Sequence, residues 1–331
     1  MANFRFPRPV AALAVIVTLS AAAVPSIGLA QDYPTRPIRI VVGFAPGGVT
    51  DAIPRLLAEP LAQRLGQPVI VENRAGAGGA LAVTAVAQSA PDGYTLLGGG
   101  VGQIVVLPHT SKNLPIDPAR DLVHISMTGE GDQFFSINPE VPAKNYAEFA
   151  ALVKANPGKY FYGDAGAGGN LHLYVEYFKM LAGLDMAGLH YKGGSEIMVD
   201  LLANRIQMSL NTAPVIRGYV QQGRLRPILA IARQRSAEFP DVPTVGEVGL
   251  KPLEAASNWF SLHAPKGTPE PVVRKIHAAL IDALKTDAVK AGLAKLDIRA
   301  VGDTPEEFSR RIADDYRTFG DIVRRANIRS E

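Results

Sequence analysis

Ile38-Arg-Ile-Val-Val-Gly-Phe-Ala-Pro-Gly-Gly-Val-Thr-Asp51 decides the reading of this 331-residue chain. A β-branched run, Ile38–Phe44, passes through a Gly-Gly turn into a helical pattern that runs from about Asp51 to Leu65. A buried strand that turns through glycines into a helix is how a doubly wound α/β unit begins. Glycines there let the backbone approach a ligand closely, and the free N–H groups of the helix's first turn favour an anion. Thr50 or Asp51 can cap that helix, while Pro60 inside it predicts a kink.

Working outward, Val69–Glu72 is a second strand, Gly76–Gly79 a second glycine turn, and 80–90 a helix. Tyr94–Leu97 is a third strand, ending in Gly98-Gly99-Gly100. The alternation predicts a parallel sheet covered on both faces. It then repeats, with strands at Phe134–Asn138, Tyr160–Tyr162, Gly188–Tyr191, Met208–Leu210 and Leu225–Ala232 and helices at 146–156, 170–181 and 196–203. From about Pro269 the tail reads as helical to its end. Two doubly wound lobes are expected, residues 31–130 with 254–331 and residues 131–253, with a ligand cleft between them.

The first 30 residues stand apart. Arg5 and Arg8 precede an apolar run, Val10–Val24, and Gly28-Leu29-Ala30 offers small residues for cleavage after Ala30. That is the pattern of a secretory signal, and it implies a periplasmic protein. The segment holds two of the 34 basic residues and none of the 31 acidic ones, so the rest is nearly neutral. With no basic stripe, nucleic-acid binding has no support. Cysteine is absent, which excludes disulfides, thiolate metal sites and a cysteine nucleophile.

Three glycine turns each follow a strand and open a helix: 45–51, 74–79 and Gly163–Asn170. None is a nucleotide fingerprint, because Leu81 and Leu171 stand where a third glycine belongs, and no P-loop is present. A carboxylate is therefore a better candidate than a pyrophosphate. There is no G-x-S-x-G elbow and no H-E-x-x-H, so no catalytic residue is assigned. The six histidines (109, 124, 172, 190, 263 and 277) show no metal spacing, and neither metal nor cofactor is expected. His172 opens a helix and His190 ends a strand, where each can face the cleft or serve packing. Asp117, Asp121, Glu130 and Asp132 read as a solvated charge cluster near the lobe crossover. Asp51 and Asp164 lie in turns that otherwise attract anions, so each favours a ligand amino or hydroxyl group over a second carboxylate.

Tyr33–Asp51, Leu65–Gly79 and Ala90–Leu97 together resemble the Bug-type receptors of tripartite tricarboxylate transporters. So do Ala155–Lys159, Tyr191–Gly193, Asp200–Leu202 and Pro240–Val245, and the resemblance runs in order over the whole chain after the signal. It implies a type II periplasmic-binding fold, with crossing strands joining the lobes and C-terminal helices returning to the first lobe. It points to Phe44, Gly47, Gly48, Asp51, Ala77 and Gly78 as first-lobe ligand residues. From the second lobe it points to Asp164, Ala165, Gly166, Gly168, His172, Tyr191 and Asn211. The family usually has serine at 164, aspartate at 211, proline at 190 and a Ser-Ala-Pro-like run at 194–196, so this chain departs from it around the cleft.

The expectation is a monomeric receptor that closes on a small carboxylate, bearing an amino or hydroxyl group, and delivers it to the transporter's membrane permease subunits. A sensor that reports ligand to a two-component kinase is the alternative. An exported α/β hydrolase is a weaker one, since no nucleophile–base pair can be named.

Overall fold

The computed structural model describes residues 1–2, 33–164, 170–191 and 193–325. The expected signal and its cleavage point therefore lie outside the described residues, as do Ala165, Gly166 and Gly168. Among the described residues no helix is long and apolar enough to cross a membrane.

In chain order the first stretch comprises β1 (Ile38–Val42), α1 (Val49–Leu65), β2 (Val69–Asn73), α2 (Ala80–Ala87) and β3 (Thr95–Gly100). A π-helical turn, Gly102–Val106, leads to α3 (Leu107–Thr110), α4 (Pro118–Asp121) and β4 (Leu122–Gly131). The second sheet is built by β5 (Gln133–Ile137), α5 (Tyr146–Ala155), β6 (Phe161–Asp164), α6 (Asn170–Ala182), β7 (Ala187–His190), α7 (Gly194–Leu202), β8 (Met208–Thr212), α8 (Ala213–Gln221) and β9 (Arg226–Ile231). The chain then returns through β10 (Asn258–Pro265), α9 (Glu270–Leu284), α10 (Asp287–Lys295), β11 (Ile298–Ala300) and α11 (Pro305–Arg325).

Two mixed sheets result, ordered β11-β4-β10-β3-β1-β2 and β7-β6-β8-β5-β9. In the first, β1 pairs parallel with β2 and β3, as the strand–helix alternation predicts. The other half is antiparallel, with β10 between β3 and β4 and β11 on the edge. The second sheet repeats the division: β6 is parallel to β7 and β8, and β5 is antiparallel to β8 and β9. A purely parallel reading thus covers only half of each lobe.

Helix α1 buries Ile53, Leu57, Leu61 and Leu65, one residue per turn, and continues through both Pro54 and Pro60. It ends at Gly66, whose left-handed backbone (φ 72°) returns its N–H to the Ala62 carbonyl. Its buried face joins a core with Ile276 and Leu280 of α9.

Strand β4 is buried along almost its whole length, yet His124, Ser126, Thr128 and Glu130 alternate along it. That row faces α11. The His124 and Trp259 rings meet Phe308, and Ser126 and the Met127 N–H bond to Asp303 just before the helix. Glu130 is not part of a solvated cluster, as its sequence neighbours suggest. It is buried, accepts from Ser257 Oγ at 2.6 Å, and is ion-paired with Arg299 at 2.8 Å and Arg311 at 3.3 Å. Burial alone would raise its pKa, but the Ser257 hydroxyl and the two guanidiniums outweigh that and lower it.

Arg311 also pairs with Asp315, which accepts from the Trp259 indole. Phe319 of the same helix meets Tyr174 of α6. Helix α11 therefore ties helix α6 of the second sheet to the strands beside the crossover. The tail is not helical throughout, because Ile298–Ala300 adds an edge strand to β4.

Candidate ligand-binding site

The turn between β1 and α1 is held from below. The carboxylate of Asp51 accepts from the Gly47 N–H at 3.0 Å, from Arg55 Nε at 3.0 Å and from Asn73 Nδ2 at 2.7 Å. Asn73 also donates to the Phe44 carbonyl at 2.9 Å and accepts from Arg55 Nη2 at 2.6 Å. Asp51 is buried, and hydrogen bonding by Arg55 leads the effects that hold its carboxyl down at about 2. The helix cap is Gly48, not Thr50 or Asp51. Asp51 instead fastens the turn: Gly47 takes a left-handed conformation (φ 98°), and a Cβ on Gly47 or Gly48 would meet only open space. Phe44 is exposed at the rim.

The second turn places Ala77 (φ 47°) and Gly78 (φ 64°) in left-handed conformations ahead of α2. Between it and β1 lies Gln103, a residue that the sequence reading passes over. Its side chain packs so tightly that a Cβ on Gly43 would come within 2.3 Å of Nε2 and one on Gly79 within 2.4 Å. Gln103 is 1 % exposed, and neither amide atom has a hydrogen-bond partner. A buried amide in that state costs about 1–3 kcal/mol. Gln103, Phe44, Thr50, Gly102, Asn170 and Asn258 line one cavity of about 70 Å³, room for roughly two water molecules. Asn170 opens α6, so both sheets contribute to that space.

On the second-lobe side, Asp164 and His190 are register partners at the carboxyl ends of β6 and β7. Asp164 is fully buried, and its Oδ2 lies 2.9 Å from His190 Nδ1. The His172 ring stands edge-on to that of His190, with centroids 4.8 Å apart. Burial, with His190 close by, lowers the His172 pKa although Asp164 opposes the shift. Histidines without metal spacing in the sequence are thus brought together with a carboxylate. Tyr191 turns away, donating its hydroxyl to Asp200 at 2.7 Å, and burial with that bond pushes its pKa up to about 12. Asn211, at the end of β8, donates to Ser209 Oγ at 2.5 Å. Asp164, His172 and His190 form one group; Tyr191 and Asn211 belong to separate contacts.

The family model for the tripartite tricarboxylate transporter family receptor (TctC) matches residues 53–328. A UPF0065 protein in the gbd 5' region of Cupriavidus necator is 37% identical over 316 residues, covering 95% of each chain. Protein BugT of Bordetella pertussis is 35% identical over 314 residues, covering 94% of this chain and 96% of its own.

Among solved structures, one described as a periplasmic transporter is 38% identical with a TM-score of 0.73, covering 90% of this chain and 99% of its own. MatC from Rhodopseudomonas palustris with bound malate is 30% identical (TM-score 0.70; 88% and 100% covered). R. palustris Rpa4515 with adipate is 27% identical (TM-score 0.73; 90% and 99% covered). Two mixed lobes, a cavity between them and a match along most of the chain agree: this protein is a solute-binding receptor of the TctC/Bug family.

Proposed function

We propose that the protein is exported to the periplasm, captures a small carboxylate by closing its lobes, and presents the closed form to a tripartite-type membrane permease. The lobes are taken as residues 31–130 with 254–331 and residues 131–253. The observation that carries the reading is the cavity where the Asp51-fastened turn meets the unpartnered amide of Gln103. On that side the site offers backbone and amide donors, while the nearby negative charge of Asp51 is already engaged by Arg55. Malate in MatC and adipate in Rpa4515 support a small carboxylate as the ligand class.

Asp164 supports a finer choice. Its buried charge on the second-lobe side disfavours a second bare carboxylate nearby and favours a hydroxyl or amino group on the ligand. A ligand that contacts both lobes binds the closed state better than the open one, and that difference drives closure. The chain is taken to act as a monomer.

A thermal-shift panel of mono-, di- and tricarboxylates, hydroxy acids, amino acids and neutral sugars tests the ligand class. At 100 times its dissociation constant a ligand adds about 2.7 kcal/mol of stability, a shift of a few degrees in a chain of this size. Shifts confined to carboxylates are expected. A response only to sugars would reject the reading.

A further inference from the structure

We propose that Asp164, His172 and His190 form a binding site for one divalent transition-metal cation beside the ligand cleft. One donor atom from each of the three residues lies within 4.8 Å of the other two. Metal–ligand bonds of about 2.1 Å set neighbouring donors about 3.0–3.4 Å apart. His190 Nδ1 already stands 3.0 and 2.9 Å from the two Asp164 carboxylate oxygens. His172 completes the group within 4.8 Å. It is half-buried in the first turn of α6, so rotation about its side-chain bonds can bring it in.

The scaffold is rigid where it matters. Asp164 and His190 sit opposite each other on paired parallel strands, which fixes the separation of two ligands through the backbone. Asp164 is fully buried, whereas the His190 side chain is 40 % exposed, so an ion has a route in from the cleft side. Two imidazoles and one carboxylate suit Zn²⁺, Ni²⁺ or Co²⁺ rather than Mg²⁺ or Ca²⁺, which prefer all-oxygen sites. Three protein donors leave coordination positions open. His172 and the cavity-lining Asn170 both belong to the first turn of α6, and the Asp164–His190 pair lies at the carboxyl ends of β6 and β7. A hydroxy- or amino-carboxylate can then chelate the ion, which gives a second reason for such a ligand. The cation site itself rests on its own geometry and does not require the receptor reading.

The test uses the full exported chain, stripped with a chelator and titrated calorimetrically with Zn²⁺ and Ni²⁺. Co²⁺ absorption reads the donor set. One ion per chain is expected, with histidine ligation visible in the Co²⁺ spectrum. His190→Gln and His172→Gln should each weaken binding at least tenfold, and His277→Gln, far from the cluster, should leave it unchanged. Asp164→Asn is a third variant, but because Asp164 is buried its melting curve must be checked first. His190→Gln, at a half-exposed site, keeps the test decisive if Asp164→Asn does not fold. No stoichiometric uptake by the wild type, or uptake undiminished in both histidine variants, would overturn the proposal. The carboxylate panel run in parallel on chelator-treated protein separates failure of the metal site from failure of the receptor reading.

Discussion

Asn73 Nδ2 donates to the Asp51 carboxylate at 2.7 Å, and that one contact joins the end of β2 to the first turn of α1. The same amide holds the Phe44 carbonyl, so the glycine turn is fastened by a side chain from a neighbouring strand. Asn73→Ala should therefore loosen the turn without touching the ligand directly. The expected result is an affinity loss of about tenfold with the fold retained, measured by calorimetry against denaturant melts.

Asp51→Ala should act more strongly. It leaves the Gly47 N–H and Arg55 without their acceptor, a loss of about 2 kcal/mol in urea unfolding. The folded carboxyl lies at about 2, below its ordinary value of 3.8, so its contribution is present above 3.8 and lost as pH falls toward 2. Wild type should show that acid-side loss and the variant should not.

Gln103→Leu separates function from stability. It removes two buried polar atoms that have no partner and keeps a similar volume, so stability should rise by about 1 kcal/mol. Ligand affinity should fall at the same time, because an unpartnered amide that lines the cavity is gone. A variant that binds as tightly as wild type would show that Gln103 serves packing alone.

The second titration window belongs to buried histidines. His263 lies against His124 at 2.9 Å and Ser261 at 2.7 Å. Burial pushes both imidazoles below their usual 6.5, His263 well below. The unfolded chain then binds more protons as pH drops below 6.5, so stability is full above that pH and is lost beneath it. Each such group can contribute a slope of up to about 1.4 kcal/mol per pH unit. His263→Gln should flatten thermal stability between about pH 6.5 and pH 5.

Arg311→Met should show how α11 is anchored. It leaves Asp315 a buried charge without its ion pair and Glu130 with Arg299 as its one cationic partner, with an expected loss of about 3 kcal/mol. Denaturant unfolding at neutral pH measures it, and a loss below about 1 kcal/mol would mean water replaces the guanidinium.

The β1–α1 unit is legible from residues alone because β-branched runs and paired glycines state their geometry locally. Strand β4 is not. Its alternating His124, Ser126, Thr128 and Glu130 imitate a solvent-facing strand, and the partners of His124 (His263), Ser126 (Asp303) and Glu130 (Ser257 and Arg311) lie far along the chain. The cleft is legible in the same partial way. Asp164 and His190 can each be suspected, but that they face one another follows from the β6–β7 register, which no spacing reveals. Gln103 offers no sequence signal either, since only the packing against Gly43 and Gly79 makes it conspicuous.

The most direct test is calorimetric titration of the full exported chain with the best carboxylate of the panel and with its uncharged primary amide. A receptor for carboxylates has one saturable site for the carboxylate and binds the amide at least tenfold more weakly. Equal affinity for both, or no binding of any carboxylate, would contradict that reading.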